Sequence, residues 1–261
     1  MHIHHYATCW NEARVLQFFF RHYQPIISRF FVYDDGSTDG SLDILAAEPG
    51  VVVRQRRRSH PDSFVLSGRD HTNNCWKESR GLADWVIIGN IDEHLHHPSL
   101  REYLEHCRDK GITVVPALGY QMLSDSFPPA HVKLCGAITR GAPWRQMNKL
   151  ILFNPDAVRE INFDVGRHAA RPEGDIRYPE RDELLLLHYK YLGRNYTSAR
   201  HAELRTGLRA VDVANRWGHK YWWSAAELEA DWRAMEARAV DIADPELAPW
   251  DSHREPRWWR A

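Results

Sequence analysis

Carboxylates, an amide and histidines are concentrated in residues 84–98, which read DWVIIGNIDEHLHHP. An apolar run leads to Asn90-Ile91-Asp92-Glu93, and His94, His96 and His97 follow within four positions. Carboxylate oxygens bind Mg²⁺ and Mn²⁺, whereas imidazole nitrogens bind transition metals. The stretch therefore predicts a divalent metal site that is held either by the carboxylates or by the histidines.

Two further groups of polar residues follow β-rich runs. Asn11 and Glu12 come after HIHHYATC and Trp10, and Asp34 and Asp35 end RFFVYDD, directly before GSTDGS. Carboxylates and hydroxyls at such a junction can accept hydrogen bonds from a nucleotide. They can equally form an Asx turn that caps the helix predicted from Ser41.

Alternating strand and helix patterns must position these groups. The predicted strands cover 2–9, 29–35, 51–55, 84–92 and 112–118, and the predicted helices cover 11–23, 41–48, 69–82 and 99–110. Strands separated by helices predict a mainly parallel sheet, in which ligands bind beyond the carboxyl ends of the strands. All three polar groups are therefore expected on one rim of the sheet, with Asn11 as a helix N-cap.

The pattern becomes less regular after residue 118. Residues 119–146 read as a long irregular segment, whereas 148–153 and 183–192 read as further strands. We predict an α/β domain over residues 1–194, with a nucleotide-binding half (1–98) and an acceptor half (99–194). A helical, Trp-rich C-terminal extension is predicted over 195–261.

Bulk properties exclude several classes of protein. The net charge of -1 argues against a general nucleic-acid binder, and RQRRR (54–58) is interpreted as a solvated loop. The four cysteines form no C-x-x-C pair, which favours reduced thiols in a cytosolic protein. Neither a signal peptide nor a membrane span is expected. The predicted location is the cytoplasm, including the inner face of the membrane, with at most peripheral contact through Trp258-Trp259.

Three segments in the same order resemble family 2-type glycosyltransferases with the GT-A fold, over residues 4–200. The first segment consists of CWNEARVLQFFFRHY and the later DDGSTDGS. The second segment is DWVIIGNIDEHL, and the third is LLLLHYKYLGRNYTSA. The second is similar to a subgroup motif that reads D-x-D-E-F. The resemblance implies a Rossmann-like, mixed and mainly parallel sheet, with Glu12, Asp34 and Asp35 contacting the uridine of a UDP-sugar.

The resemblance also implies a metal site. Asp92 would hold Mn²⁺ or Mg²⁺, which bridges the diphosphate oxygens and stabilises the charge that develops on UDP. Asn90 replaces the first Asp of the motif and would hydrogen-bond the ribose or a metal-bound water. His188 would complete the metal shell, although a hydrogen-bonded core histidine is the alternative. His96 and His97 are interpreted as loop residues.

Further nucleotide contacts are implied on two other segments. Lys149 and His168 would bind phosphate, with Arg167 a weaker candidate. Asn73 or Asn74 would face the nucleotide, as would Arg69, unless this part of the helix is only a solvated face.

The activity that the resemblance implies is inverting transfer of a sugar from a UDP-sugar to a hydroxyl of a glycan or lipid-linked acceptor, as in polysaccharide biosynthesis. Such a reaction needs one general base, and Asp125, Asp182 and Glu183 are the candidates in that order. Trp144 would stack on an acceptor sugar. Two alternatives remain open: a catalytically inactive sugar-nucleotide-binding protein, consistent with Asn90, and a His-rich metallohydrolase that uses His94, His96 and His97.

Overall fold

The computed structural model describes residues 1–244, 246 and 248–260, and it contains a ten-stranded mixed sheet flanked by helices. The strands are β1 (Ile3–Cys9), β2 (Arg29–Asp34), β3 (Val51–Gln55), β4 (Trp85–Asn90), β5 (Glu93–His96), β6 (Val114–Ser124), β7 (Arg140–Pro143), β8 (Lys149–Phe153), β9 (Val158–Glu160), β10 (Glu173–Gly174), β11 (Leu185–Leu192) and β12 (Val240–Asp241). The helices are α1 (Ala13–Tyr23), α2 (Ser41–Ala47), α3 (Phe64–Asn74), α4 (Leu100–Asp109), α5 (Leu134–Ala137), α6 (Arg194–Gly207), α7 (Ala210–Ala214), α8 (Ala225–Glu236) and α9 (Pro249–Ser252). Short 3₁₀ turns include Cys75–Ser79, Arg145–Met147 and His219–Trp222.

The sheet confirms the predicted mixed, mainly parallel α/β architecture. Its main path runs β12-β7-β6-β8-β4-β1-β2-β3, and β11 pairs with both β5 and β6. Strands β1 to β4 are mutually parallel, and β8 lies antiparallel between β4 and β6. Because both neighbours of β8 oppose it, β4 and β6 point the same way, so their carboxyl ends share one edge.

Burial on both faces explains why the central strands are almost continuously apolar. The side chains of β4 are buried from Trp85 to Gly89, and those of β8 are buried throughout. Helix α1 covers one face with its buried aromatic side chains Phe18, Phe19, Phe20 and Tyr23. Each such side chain stabilises the fold by about 1.5–3 kcal/mol through burial.

Three element boundaries differ from the prediction. Helix α3 begins at Phe64 rather than at residue 69, because the Ser63 hydroxyl accepts the Leu66 N–H at 3.0 Å and caps it. Strand β6 continues to Ser124, well into the segment predicted to be irregular. Asn11 is not the N-cap of α1, because Glu12 occupies that position and Asn11 has a φ of 53°.

The C-terminal segment packs onto the sheet through several contacts. Strand β12 pairs with β7, and the Trp232 ring of α8 stacks on Tyr191 of β11 at 4.8 Å. The buried Asp212 carboxylate accepts the Phe64 N–H at 2.8 Å and so caps α3. The division into domains at residue 194 stays a prediction. None of the described helices has the length and apolarity needed to cross a bilayer.

Candidate functional site

The loops that follow β1 and β2 are joined by hydrogen bonds at the carboxyl edge of the sheet. The Asp34 carboxylate accepts the backbone N–H groups of Gly36 and Ser37 at 2.9 and 3.1 Å. The Asn11 amide oxygen accepts the Thr38 N–H at 2.7 Å. Asp34 therefore forms an Asx turn, but this turn does not cap α2, because the Ser41 N–H donates to Asp39 Oδ1 at 3.0 Å.

Asp35 lies beside two arginines of the RQRRR segment. Its carboxylate is 3.5 Å from Arg56 Nη1 and 3.1 Å from Arg58 Nε. Arg56 is buried and also donates to the Phe64 carbonyl at 3.0 Å. The interpretation of this segment as a solvated loop is therefore wrong for Arg56, because its guanidinium neutralises a buried carboxylate.

Asp92 follows β4 and faces two residues of β11. Its Oδ2 atom is 3.4 Å from His188 Nε2 and 3.5 Å from Lys190 Nζ. The Asp92 carbonyl also accepts the Tyr189 N–H at 2.8 Å, which fixes β11 against this turn. We call Asp92, His188 and Lys190 the Asp92 site. The structure thus brings together the two predicted metal ligands and adds Lys190 beside Asp92.

Gln121 fixes the orientation of the His188 ring. The Gln121 amide nitrogen donates to the carbonyls of Met122 and His188 at 3.0 and 3.1 Å. Its oxygen is therefore the acceptor for His188 Nδ1–H at 2.7 Å. A neutral His188 then presents the lone pair of Nε2 to Asp92, which is the arrangement that a shared cation would stabilise.

The charged groups at the Asp92 site shift one another's pKa values. Burial raises the pKa of Asp92, but Lys190 and His188 outweigh burial and hold that pKa well below its usual range. Burial lowers the pKa of His188 although Asp92 opposes the shift. Burial likewise lowers the pKa of Lys190, but Tyr221 and Asp92 leave it above its usual value. At neutral pH the site therefore holds a carboxylate, a neutral imidazole and an ammonium.

The donor atoms of Asp92 and His188 suit a divalent cation, since a carboxylate oxygen and an imidazole nitrogen both bind Mn²⁺. Throughout residues 1–244, 246 and 248–260, no three His, Cys, Asp or Glu side chains are placed to hold a metal ion together. A metal held by Asp92 and His188 would therefore take its other ligands from the substrate and water.

Glu12 lies near Asp92 and is paired with an arginine of α6. Arg200 Nη2 donates to Glu12 Oε1 at 2.5 Å and to the Trp10 carbonyl at 2.9 Å. Arg200 also pairs with Glu203. Burial raises the pKa of Glu12 to about 7, even though Arg200 opposes the shift. The predicted nucleotide contact at Glu12 is thus a partly buried carboxylate at the rim, with 14% of its side chain exposed.

Glu93 lies in a separate group of residues, which we call the Glu93 cluster. It accepts hydrogen bonds from Lys149 Nζ at 2.7 Å, Arg167 Nη2 at 2.8 Å and Asn90 Nδ2 at 3.1 Å. Burial raises the pKa of Glu93, but Arg167 and Lys149 outweigh it and lower that pKa to about 2. Burial lowers the pKa of Lys149 to about 8.

This cluster changes the interpretation of three predicted contacts. Lys149 and Arg167 are buried against Glu93, so they do not offer free charges to a phosphate. The side chain of Asn90 donates to the same carboxylate. An aspartate at position 90 would instead place a second negative charge beside Glu93, which gives a physical reason for the amide.

The histidines that follow Glu93 do not converge on one point. His94 is buried and stacks on His22 at 4.6 Å between ring centroids. His96 is the last residue of β5 and therefore not a loop residue, whereas His97 stacks on Tyr103 at 4.5 Å. Their rings belong to different packing contacts, so the geometry gives no support to a site built from these three histidines.

The other predicted nucleotide contacts lie on α3 and on the loop after β9. Asn73 both donates to and accepts from the backbone of Phe163, at 3.2 and 2.7 Å, and so anchors that loop. The Asn74 side chain donates to the Asp70 carbonyl within α3. Arg69 pairs with Asp70 at 3.1 Å. His168 lies at the surface, where its Nδ1–H donates to the Gln146 carbonyl at 2.6 Å.

The three candidate bases lie at different edges of the sheet. Asp125 follows β6 on the carboxyl edge; its side chain is 90% exposed and is 3.7 Å from Arg194. Asp182 and Glu183 precede β11, so the structure does not bring them to that edge. The buried Asp182 carboxylate is instead bound by the C-terminal residues Arg257, Trp259 and Arg260.

Trp144 lies beside the Asp92 site. Its ring centroid is 5.7 Å from that of His188, and Lys220 Nζ lies 4.8 Å from the ring. Gly119 allows the turn that follows Trp144 to pack closely on β6, because a Cβ there would be 2.3 Å from the backbone of Met147. The Trp144 N–H donates to the Gly119 carbonyl at 2.8 Å. The predicted stacking residue is therefore within reach of a molecule bound at His188.

Sequence reasoning missed four residues of the rim, namely Arg56, Gln121, Lys190 and Arg200. A signal existed for Lys190, since it lies two positions after His188 in a strand and alternation predicts a shared face. Gln121 and Arg200 are 67 and 12 residues from His188 in sequence, and no local pattern links them to it.

Curated relatives were found for about two thirds of the chain. A glycosyltransferase family 92 protein of Ricinus communis is 26% identical over 192 residues, which cover 69% of this chain and 34% of the relative. A family 92 protein of Oryza sativa subsp. japonica is 27% identical over 193 residues, which cover 69% of this chain and 32% of the relative. The chain thus spans about a third of the length of these relatives, and no family model matches it.

Solved structures of low identity were also found. S. aureus TarS residues 1–349 superpose with a TM-score of 0.43 and 10% identity, over 77% of this chain and 66% of that chain. Glucosyl-3-phosphoglycerate synthase of Mycobacterium tuberculosis, solved with Mn²⁺, UDP and glucosyl-3-phosphoglycerate, has a TM-score of 0.31 and 20% identity, over 45% of this chain and 44% of that chain. In sequence, the chain is similar to curated proteins that bear the name glycosyltransferase family 92.

Proposed function

We propose that this chain is a GT-A-type glycosyltransferase that moves a sugar from a UDP-sugar to an acceptor hydroxyl, with inversion at the anomeric carbon. The single observation that carries the proposal is the pairing of Asp92 with His188 at the carboxyl edge of the sheet. The similarity to family 92 glycosyltransferases supports the class of reaction.

Asp92 Oδ2 and His188 Nε2 would hold Mn²⁺ or Mg²⁺, and Gln121 keeps the imidazole in the required tautomer. When bound, such a cation supplies positive charge that stabilises the diphosphate leaving group. The low pKa of Asp92 keeps its carboxylate ionised across the physiological range.

The donor nucleotide would lie over the loops that follow β1 and β2. Asp35 and Glu12 would accept hydrogen bonds from uracil and ribose. Arg56 and Arg200 hold these two carboxylates in position. Asp34 shapes the loop through its turn hydrogen bonds.

The general base must take a proton from the acceptor hydroxyl as that oxygen attacks the anomeric carbon. Among the predicted candidates, Asp125 is the one that follows a strand at the carboxyl edge. Its exposure leaves it open to solvent and to an incoming acceptor. Trp144, whose ring centroid is 5.7 Å from that of His188, would stack on the acceptor sugar.

A donor screen by thermal shift tests the proposal. UDP and several UDP-sugars, each with Mn²⁺, are expected to raise the melting temperature, because a ligand that binds only the folded state stabilises it. In Asp92→Asn, we expect the affinity for the Mn²⁺–UDP pair to fall by about 100-fold, consistent with the loss of a charged metal ligand. Wild-type Mn²⁺–UDP affinity in Asp92→Asn would count against the proposal.

UDP release from each donor, measured with saccharide acceptors, separates the enzyme from the inactive alternative. Turnover with any donor establishes transfer or hydrolysis of the sugar. Tight binding of UDP-sugars without turnover of any donor would favour a catalytically inactive sugar-nucleotide-binding protein, which is the alternative consistent with Asn90.

A further inference from the structure

Lys190 occupies the position where its charge would oppose a metal ion. Its Nζ atom lies 3.5 Å from Asp92 Oδ2, the same oxygen that is 3.4 Å from His188 Nε2. A cation shared by Asp92 and His188 would therefore lie close to the ammonium group. Two positive charges at such a distance repel strongly in a partly desolvated site.

The surroundings of Lys190 hold it against Asp92. The ammonium lies 5.5 Å from the centroid of the Tyr221 ring, and the side chain is 18% exposed. The neighbouring cation Arg200 is already paired with Glu12 and Glu203. Lys190 is thus the cation that neutralises Asp92 in the unliganded protein.

We infer that Lys190 is a counterion that makes metal binding at the Asp92 site conditional on the nucleotide diphosphate. Without the nucleotide, the ammonium satisfies Asp92 and opposes a second cation. With the nucleotide, the diphosphate oxygens attract the ammonium, so that the Asp92 carboxylate becomes free for the metal. This inference rests on the proposed function, because it takes the ligand to be a nucleoside diphosphate.

Thermodynamic linkage makes the inference measurable. If UDP increases the affinity for Mn²⁺ by some factor, Mn²⁺ must increase the affinity for UDP by the same factor. We expect this factor to be about tenfold or more in the wild-type chain, within the usual range for coupled sites. We expect it to shrink when Lys190 loses its charge.

The experiment measures Mn²⁺ binding to the full chain by electron paramagnetic resonance of free Mn²⁺, with and without UDP. In Lys190→Met, Mn²⁺ alone is expected to bind about tenfold tighter than in wild type, because a repelling charge is removed. Lys190→Arg keeps the charge and is expected to keep the wild-type coupling. Lys190→Gln provides a second neutral variant if Lys190→Met does not fold, as checked by its melting temperature.

Lys220→Met is the matched control, since Lys220 is paired with Asp231 at 3.2 Å and lies over Trp144 and Trp223. Its removal is expected to leave the coupling factor unchanged. An unchanged affinity for Mn²⁺ alone in both neutral Lys190 variants would overturn the inference. The measurement of Mn²⁺ binding without UDP requires no nucleotide. If the chain binds no UDP under any condition, the proposed function fails, but the effect of Lys190 on Mn²⁺ affinity is still tested.

Discussion

Asp92 and Glu93 are adjacent in sequence, yet their carboxylates lie in different surroundings. In the Glu93 cluster, three donors lie within 3.1 Å of the carboxylate, and the side chain is 1% exposed. In the Asp92 site, the two facing groups are 3.4 and 3.5 Å away, and the carboxylate is 11% exposed. The first arrangement satisfies its carboxylate fully, whereas the second leaves room for another ligand.

The comparison teaches that a strongly shifted pKa does not by itself mark a ligand-binding residue. Both carboxylates have a lowered pKa because cations outweigh burial. The difference lies in the hydrogen bonds, since a saturated carboxylate holds elements together and an unsaturated one is available for chemistry.

The largest expected effect is on stability and comes from Glu93→Ala. The change leaves Lys149 and Arg167 buried without their partner, so we expect a loss of about 3–5 kcal/mol in the free energy of unfolding. Urea denaturation measures this loss. Glu160→Ala is the matched control, because Glu160 pairs with Lys77 at 2.7 Å on the surface and should cost less than about 1 kcal/mol. Equal losses of unfolding free energy in Glu93→Ala and Glu160→Ala would show that the buried Glu93 cluster stabilises the fold no more than a surface ion pair does.

A second prediction concerns the orientation of His188. Gln121→Leu removes the acceptor for His188 Nδ1–H, so the ring no longer holds one tautomer. We expect the affinity for Mn²⁺ in the presence of UDP to fall about 10–100-fold, as for other residues that orient metal ligands. Calorimetric titration measures it, with the exposed Gln17→Leu as control. Wild-type affinity in Gln121→Leu would show that the tautomer is not fixed by Gln121.

A third prediction tests why position 90 carries an amide. Asn90→Asp replaces a donor to Glu93 with a second carboxylate, so we expect a loss of about 1–2 kcal/mol in the free energy of unfolding. Urea denaturation at pH 7.5 measures it, and Asn90→Ala separates loss of the hydrogen bond from charge repulsion. Higher Mn²⁺ affinity without loss of stability would instead place Asn90 in the Asp92 site.

The smallest expected effect is a pH dependence of the folding stability that is caused by the buried His5 of β1. His5 packs on Tyr23 and Phe19, both of its nitrogens lack a hydrogen-bond partner, and burial lowers its pKa to about 3. Below about pH 6.5 the unfolded chain takes up a proton that the folded chain excludes, so stability falls as the pH falls. The His5 contribution is about 1 kcal/mol between pH 6.5 and 5.5.

Thermal or urea unfolding at those two pH values measures this contribution by comparing wild type with His5→Phe, which keeps an aromatic ring. We expect the variant to lose about 1 kcal/mol less than wild type over this interval. The same pH dependence in both proteins would show that His5 is protonated in the fold.

The alternation of strands and helices from β1 to β6, apart from the short β5, followed from the sequence, and so did the placement of Glu12, Asp35 and Asp92 on one rim. Parallel strands put their carboxyl ends at the same edge whatever side chains surround them. His188 was also found from sequence, because the run LLLLHY predicts a buried strand that ends near a rim. The limits of α3 and β6 were missed because Ser63 capping and the pairing of β6 with β11 extend those elements beyond their local patterns.

The sequence by itself determined that Glu12, Asp35 and Asp92 would lie at one edge of a mixed α/β sheet, because hydrophobic periodicity fixes which residues end the strands. Only the tertiary structure decided which carboxylate has room for a further ligand. Lys149 and Arg167 reach Glu93 from 56 and 74 residues away, and Lys190 reaches Asp92 from β11. Burial makes these long-range pairings decisive, because a charge removed from water must find its partner within the fold.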